Sequence, residues 1–176
     1  MGTVVGIRLA DGVALAADRR ATDGSTVRSD DLGKLFAFDA AGAGATGSAS
    51  AIQEFGRRLE DELRQLRDRQ DHGPSIDALE RLAGDVASET GAEAIVAARE
   101  EGIAALRAID AEGGSVGDDV LALGTGAQVA IGGLDGVDRE TGVEEAAEPL
   151  KDVLETVAER DAETGEEIDV WTLADG

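Results

Sequence analysis

The order of the predicted secondary-structure elements constrains the fold of this 176-residue chain more than any other feature. Short apolar segments occur in clusters, and helical patterns occur in clusters between them: strands, two helices, strands, one or two helices, and a last strand. A parallel sheet would instead need strands that alternate regularly with helices. The clustered order therefore predicts an α+β fold in which helices are stacked outside antiparallel sheets.

The strands are predicted from short apolar segments and from the turn residues between them. A tight Ala10-Asp11-Gly12 turn joins the first pair, and Asp39 to Ala41 joins the second. The predicted strands cover residues 3–9, 12–18, 33–38, 42–47, 93–98, 103–109, 119–123 and 168–173. The strand at 42–47 consists almost entirely of Gly and Ala, which predicts close approach of another backbone or cover by a helix.

Two long helices are predicted between the strand clusters. Ser48 is the expected N-cap of the first, and Ser75 opens the second, which ends near Gly91. The first helix carries apolar residues at spacings of three and four, at Ile52, Phe55, Leu59, Leu63 and Leu66. This spacing is typical of an amphipathic helix with one buried face.

The helices predicted in the second half of the chain are shorter. One covers residues 127–134, and Thr141 is predicted to cap another that carries Val143, Ala147, Leu150, Leu154 and Val157. Pro149 lies within this last segment, and proline lacks the N–H that a helix interior needs. We therefore expect Pro149 to bend this helix or to displace its first turn.

The formal net charge of −22, from 38 acidic and 16 basic residues, argues against nucleic acid and anionic membranes as partners. Nucleic acid binding depends on the neutralisation of phosphates by Lys and Arg, and binding to anionic membranes depends on the same residues. This chain has less than half as many basic as acidic residues. A charge of this size destabilises a compact chain by self-repulsion, which salt screens. Acidic excess, only two lysines and small core residues are typical of proteins from salt-accumulating microbes. The acidic surface then reflects the solvent and not the substrate.

Other features exclude further classes. The chain has no cysteine, so disulfides and thiolate metal sites are excluded, and nothing indicates another metal site or an organic cofactor. No signal-peptide pattern is visible, and no apolar run reaches the length of about 18 residues that a membrane span requires. We therefore expect a cytoplasmic protein, and with no internal boundary visible we expect residues 1–176 to form one domain.

Seven sequence blocks occur in an order that resembles the β-type, catalytic branch of the proteasome subunits, which are N-terminal-nucleophile hydrolases. They are T-V-V-G-I, A-D-R-R-A-T, G-K-L-F-A-F-D, A-T-G, A-I-D-A-E-G-G-S, G-T-G and E-R-D-A-E-T-G-E-E-I-D-V, from residue 3 to residue 170. The resemblance implies a four-layer αββα sandwich, with two antiparallel sheets between helix layers. It also implies partners in a ring, namely copies of this chain or related subunits, and a peptide or unfolded protein as the substrate of an active subunit.

The resemblance also implies a set of catalytic residues. In this family the α-amine of an N-terminal threonine takes the proton of that residue's own hydroxyl, and an α-amine is suited to this near neutral pH. By resemblance, Lys34 lies beside the hydroxyl, Asp18 pairs with Lys34, and Gly47 offers a backbone N–H to the oxyanion. Hydrogen-bonding positions around the amine fall on Thr125, Asp161 and Thr164, where the family usually has Ser, Asp and Ser.

The chain departs from the family pattern at the nucleophile. When Val5-Gly6-Ile7 and Asp18 are aligned with the family, the place of the catalytic threonine falls on Gly2, and Thr3 comes one residue later. Because side chains alternate across a strand, a slip of one residue turns a side chain to the opposite face. It also moves that side chain by about 3.3 Å along the strand.

Three interpretations follow from this departure. In the first, cleavage after Gly2 exposes Thr3, the strand shifts or bulges, and the chain is a threonine-type peptidase that uses Thr3 with Asp18, Lys34 and Gly47. In the second, the chain is a catalytically inactive assembly or interaction subunit of the same fold. In the third, it is an unrelated acidic αβ binding domain, which the absence of two packed antiparallel sheets would favour.

Overall fold

A computed structural model describes residues 1–176 as a mixed α and β structure. Two sheets and a separate hairpin contain all eleven strands. The strands are β1 (Thr3–Leu9), β2 (Gly12–Asp18), β3 (Ala21–Asp23), β4 (Thr26–Ser29), β5 (Leu35–Phe38), β6 (Ala41–Thr46), β7 (Glu93–Glu100), β8 (Ile103–Ile109), β9 (Ser115–Gly117), β10 (Val120–Gly124) and β11 (Ile168–Ala174). The helices are α1 (Ala49–Arg69), α2 (Ile76–Thr90), α3 (Ala127–Leu134) and α4 (Ala147–Ala158), with a short 3-10 helix at Val143–Glu145. None of the helices combines the length and the apolar character that a bilayer span requires.

Both sheets are antiparallel throughout, as the element order predicts. The first sheet has the strand order β10-β1-β2-β11, and the second has the order β5-β6-β7-β8-β9. In the first sheet, Thr3 lies opposite Gly124 of β10, and Asp18 lies opposite Ile168 of β11. The start of β1 and the end of β2 therefore lie side by side at one end of this sheet.

The two long helices begin and end where their sequences predict. The hydroxyls of Ser48 and Ser75 accept hydrogen bonds from Ala51 N and Ala78 N, which satisfies free N–H groups of the first turns. Helix α2 ends at Gly91, whose φ of +78° is a left-handed conformation that glycine adopts without strain. The caps therefore set the boundaries of both helices from local sequence alone.

The helix predicted from Thr141 starts later than expected. Helix α4 begins at Ala147, after the 3-10 turn at Val143–Glu145, and Ala146 precedes it without a side-chain cap. Pro149 thereby lies in the first turn of α4, where the missing N–H costs nothing because the first N–H groups of a helix have no intrahelical partner. The prediction that Thr141 caps the helix was wrong, and the displacement of the first turn by Pro149 is confirmed.

Three short strands were missed by the sequence patterns, namely β3, β4 and β9. Each has only three or four residues, and β4 and β9 are fully exposed, so neither alternation nor a long apolar run marks them. The strands β3 and β4 pair only with each other, with a register shift between Ala21 and Thr22. Their formation depends on the pairing partner, which a local pattern does not contain.

Three apolar clusters hold the helices and sheets together. Alternate residues of β1 contribute to different clusters, because strand side chains point in turn to opposite faces. Val5 and Ile7 join side chains of α3 and α4, whereas Val4 joins side chains of the second sheet. The remaining cluster packs α1 and α2 against β6 and β7.

The Gly/Ala-rich strand β6 permits the close approach that its composition predicts. A Cβ atom added at Gly42 would lie 2.6 Å from the ring of Trp171 in β11, and one at Gly44 would lie 2.6 Å from Val4. Strands from the other sheet therefore contact the backbone of β6 directly. Trp171, the only tryptophan, is a packing residue at this contact.

A polar latch joins the two sheets at the C-terminal end of β11. The Asp175 carboxylate accepts hydrogen bonds at 2.5 and 2.6 Å from Arg8 of β1 and one at 2.8 Å from the backbone N–H of Ala104 in β8. The hydrogen bonds from Arg8 lower the pKa of Asp175 to about 2. Because this pKa is lower in the folded than in the unfolded chain, the latch stabilises the fold above about pH 4 and is lost as the pH falls through about 2.

We expect Asp175→Asn to lower the free energy of unfolding by about 1–2 kcal/mol at neutral pH, since it removes a bidentate ion pair that is about three-quarters buried. The difference from the unmodified protein should shrink between about pH 4 and pH 2, as Asp175 itself becomes protonated. Urea unfolding in molar salt, followed by Trp171 fluorescence, measures both effects. Asp71→Asn changes an exposed carboxylate without an ion pair and is the matched control; an equal loss in both variants would contradict the role of the latch.

Candidate active site

Asp18 and Lys34 form a fully buried ion pair beside the start of β1. The Lys34 Nζ atom lies 2.9 Å from Asp18 Oδ1, and both side chains are inaccessible to solvent. Asp18 also accepts hydrogen bonds from three backbone N–H groups, those of Thr3, Arg20 and Gly165, at 2.9 to 3.0 Å. Buried charges require such compensation, so the carboxylate is held in one orientation by four donors.

The environment of Lys34 favours a lower proton affinity. Burial lowers the pKa of the Lys34 ammonium from its usual value, while the attraction and hydrogen bond of Asp18 oppose this effect. Asp161 and Glu163 oppose it more weakly. A buried lysine with a depressed pKa and a fixed carboxylate partner is typical of functional sites.

Gly2 faces this ion pair. A Cβ atom built on Gly2 would lie 2.0 Å from Lys34 Nζ and 2.4 Å from Asp18 Oδ1. The φ angle of Gly2 is +79°, which residues with a side chain adopt only at a cost. The place opposite the Lys34 amine is therefore occupied by the backbone of a residue that carries no hydroxyl.

The Thr3 hydroxyl belongs to a different hydrogen-bond network. Thr3 Oγ1 lies 2.8 Å from Thr164 Oγ1 and accepts a hydrogen bond from the backbone N–H of Gly126 at 3.1 Å. Thr164 donates its single hydroxyl hydrogen to Asp161 at 2.6 Å, so Thr3 must be the donor to Thr164. Thr3 is fully buried, and its hydroxyl forms no hydrogen bond with Lys34.

Asp161 accepts hydrogen bonds from two threonine hydroxyls at the end of this network. Its Oδ2 atom accepts from Thr125 at 2.5 Å as well as from Thr164. Burial raises the pKa of Asp161, but the hydrogen bonds from both threonines and from the backbone N–H of Glu163, together with the chain's α-amine, hold that pKa below its ordinary value. Thr125 also binds the Gly2 carbonyl through its backbone N–H at 3.0 Å, so the network fixes the start of β1.

Six of the seven residues expected from the sequence are thus brought together by direct hydrogen bonds: Thr3, Asp18, Lys34, Thr125, Asp161 and Thr164. Gly47 is half-buried in the connection between β6 and α1, with a φ angle of +142°. The sequence reasoning missed Thr46, which is fully buried and donates its hydroxyl to the Met1 carbonyl at 2.9 Å. The position of Thr46 next to Gly47 was the one signal in the sequence that could have indicated a site residue. The sequence does not show, however, in which direction the Thr46 hydroxyl points, because this depends on how β6 packs in the fold.

The site contains no assembled metal centre. No group of three or more His, Cys, Asp or Glu side chains lies close enough together to hold a metal ion. The arrangement offers a buried ammonium, a fixed carboxylate and a chain of hydroxyls. These groups are chemically suited to polarise a carbonyl or to accept a proton from an added hydroxyl.

The chain resembles known proteins over nearly its whole length. Residues 1–173 match the family described as Proteasome subunit. A proteasome subunit beta of Halorubrum lacusprofundi is 33% identical over 98% of this chain and 73% of its own length. The proteasome subunit beta 1 of Thermococcus onnurineus is 32% identical, and the beta 2 subunit of Thermofilum pendens is 29% identical, each over 98% of this chain and 88% of its own. Its relatives thus include beta subunits from halophilic archaea, and the chain belongs to the proteasome subunit family.

Proposed function

We propose that this chain is a β-type proteasome-family subunit that does not hydrolyse peptide bonds and serves in assembly or interaction. The observation that carries the proposal is the position of Gly2. Its missing side chain would point directly at Lys34 Nζ and Asp18 Oδ1, where a catalytic hydroxyl would have to lie. The machinery around the nucleophile is retained, but its nucleophile is absent.

The surroundings of Thr3 support the same conclusion. Its hydroxyl already donates to Thr164 and accepts from Gly126, and it forms no hydrogen bond with Lys34. To reach Lys34 the residue would have to give up both hydrogen bonds and move by about 3.3 Å along the strand. It would also lose the backbone bond from its own N–H to Asp18.

The second candidate is a threonine-type peptidase in which Thr3 becomes the first residue after cleavage behind Gly2. The complete set of polar partners, above all the buried Asp18–Lys34 pair, favours this candidate. A subunit without chemistry has no evident need for a buried ammonium, because apolar residues of similar volume are often as stabilising as a buried ion pair. This candidate requires β1 to shift or bulge by one residue.

The wider architecture belongs to the same proposal. We infer a single domain over residues 1–176 with a four-layer αββα arrangement, supported by the separate apolar clusters on each side of the two sheets and between them. We also infer assembly in the cytoplasm into a ring of identical or related subunits. The similarity to proteins named proteasome subunit beta supports this assembly.

Intact mass spectrometry of the protein purified in high salt, with and without a threonine-reactive epoxyketone, tests the proposal. We expect Gly2 to be retained and no inhibitor adduct to form. Loss of Met1 and Gly2 together with one adduct would contradict the proposal and identify a peptidase. The variant Thr3→Ala is the control for any adduct, because labelling at Thr3 must disappear in it.

A further inference from the structure

Two buried side chains donate to one backbone oxygen beside the ion pair. The Met1 carbonyl accepts a hydrogen bond from Lys34 Nζ at 3.1 Å and another from Thr46 Oγ1 at 2.9 Å. Both donor side chains are fully buried, whereas Met1 is 36% exposed. Met1 therefore covers a pair of convergent donors that would otherwise face the surroundings.

The Thr46 hydroxyl has no other role in the fold. Thr46 is the last residue of β6, and the five residues before it in this strand are all Gly or Ala. The only hydrogen bond of its side chain is the one to the Met1 carbonyl. The pairing of β6 with β7 at this position uses backbone groups, which any residue supplies. A buried hydroxyl without an acceptor is destabilising, so Thr46 requires an acceptor oxygen at this point.

The local charge favours a neutral acceptor. The Lys34 ammonium is already paired with Asp18, and the carboxylates of Asp161 and Glu163 also lie close enough to attract it. Arg20 also interacts with Asp18, and Asp30 also interacts with Lys34. Even with a free α-amine at Gly2, three positive groups would therefore face four carboxylates. An incoming carboxylate would therefore be repelled, while the oxygen of an amide would not.

We propose that Lys34 and Thr46 form a binding site for the carbonyl oxygen of a neutral peptide, which the Met1–Gly2 peptide group fills within the chain itself. When Met1 is absent, the site takes a peptide carbonyl from another molecule. The inference rests on the proposed function, because a bound peptide stays intact only where no nucleophile faces it. The site differs from a backbone oxyanion hole at Gly47, since its donors are an ammonium and a hydroxyl.

The test compares two forms of the full protein that start at Met1 and at Gly2, each released from an N-terminal fusion and verified by mass. The probe is N-acetyl-alanyl-alanine methylamide, and N-acetyl-alanyl-alanine with a free carboxylate is its charged counterpart. Binding is followed in molar salt by the amide chemical shifts of Thr46 and Gly47, and probe integrity by mass. The variants Thr46→Val and Thr46→Ser are made in the form that starts at Gly2, and their spectra report whether each is folded.

We expect saturable shifts with the methylamide only in the form that starts at Gly2. Affinity should fall about tenfold in Thr46→Val, which lacks one hydrogen bond, and recover in Thr46→Ser. Absence of binding, equal binding to both forms, a preference for the carboxylate probe, or an undiminished affinity in Thr46→Val would each overturn the site. Hydrolysis of the probe would instead contradict the proposed function, so the two failures are distinguishable.

Discussion

Breaking the buried ion pair at Asp18 is expected to lower the free energy of unfolding by about 3–5 kcal/mol, because removal of one partner leaves the other charge buried and uncompensated. Asp18→Asn should be the more damaging single change. It removes the charge that balances Lys34 and also disturbs the hydrogen bonds from the backbone N–H groups of Thr3, Arg20 and Gly165. Lys34→Met should cost less, since those three groups continue to hold the Asp18 carboxylate.

The double variant separates the energy of the Asp18–Lys34 interaction from the other effects of each substitution on stability. Asp18→Asn with Lys34→Met should lose less stability than the sum of the two single losses, because no unpaired charge remains. Arg28→Met breaks the exposed pair with Asp23, whose side chains are 64% and 72% accessible, and should cost less than about 1 kcal/mol. Urea unfolding in molar salt measures all four variants; a loss in Lys34→Met no larger than in Arg28→Met would contradict a buried, charged Lys34.

Restoring a hydroxyl at residue 2 is expected to have the largest effect on chemistry. In a form that starts at residue 2, Gly2→Thr should acquire one epoxyketone adduct. It should react at least about 100-fold faster than the unmodified form, because a positioned acid or base typically accelerates a reaction by at least that factor. The side chain at this position points at Lys34 Nζ and Asp18 Oδ1. Gly2→Val has the same shape without a hydroxyl and is the matched control, so labelling of both variants would show reaction elsewhere.

The same substitution should be harmful when Met1 is retained. The φ angle of +79° at Gly2 is defined only if a residue precedes it, and a β-branched residue there is strained. With Met1 in place, its carbonyl is bound to Lys34 and Thr46, which holds residue 2 in the conformation that puts an added Cβ 2.0 Å from Lys34 Nζ. We therefore expect Gly2→Thr to destabilise the form that starts at Met1. Absence of labelling in the form that starts at residue 2 would mean that the polar set around Lys34 does not activate a nucleophile.

Local sequence determined most of the regular elements. The alternation in β1 and β2, the apolar spacing of α1 and the Ser48 and Ser75 caps act within a few residues, so each can be recognised without the rest of the fold. The spacing between Gly2 and Val5-Gly6-Ile7 can likewise be seen in the sequence without the rest of the fold. By resemblance, this spacing predicts a glycine at the place of the family's threonine, and the Cβ direction at Gly2 supports the proposal that is built on it.

Tertiary structure alone decided which groups the hydroxyls of Thr3 and Thr46 contact. Thr3 binds Thr164, which is 161 residues away. Thr46, the last residue of β6 in the second sheet, binds Met1, which precedes β1 of the first sheet. The short strands β3, β4 and β9 likewise depend on their pairing partners, and the start of α4 depends on how the turn at Val143–Glu145 packs. A hydroxyl has no preferred partner in the sequence; its direction follows from the strand that carries it and from the acceptors that the folded chain brings within reach.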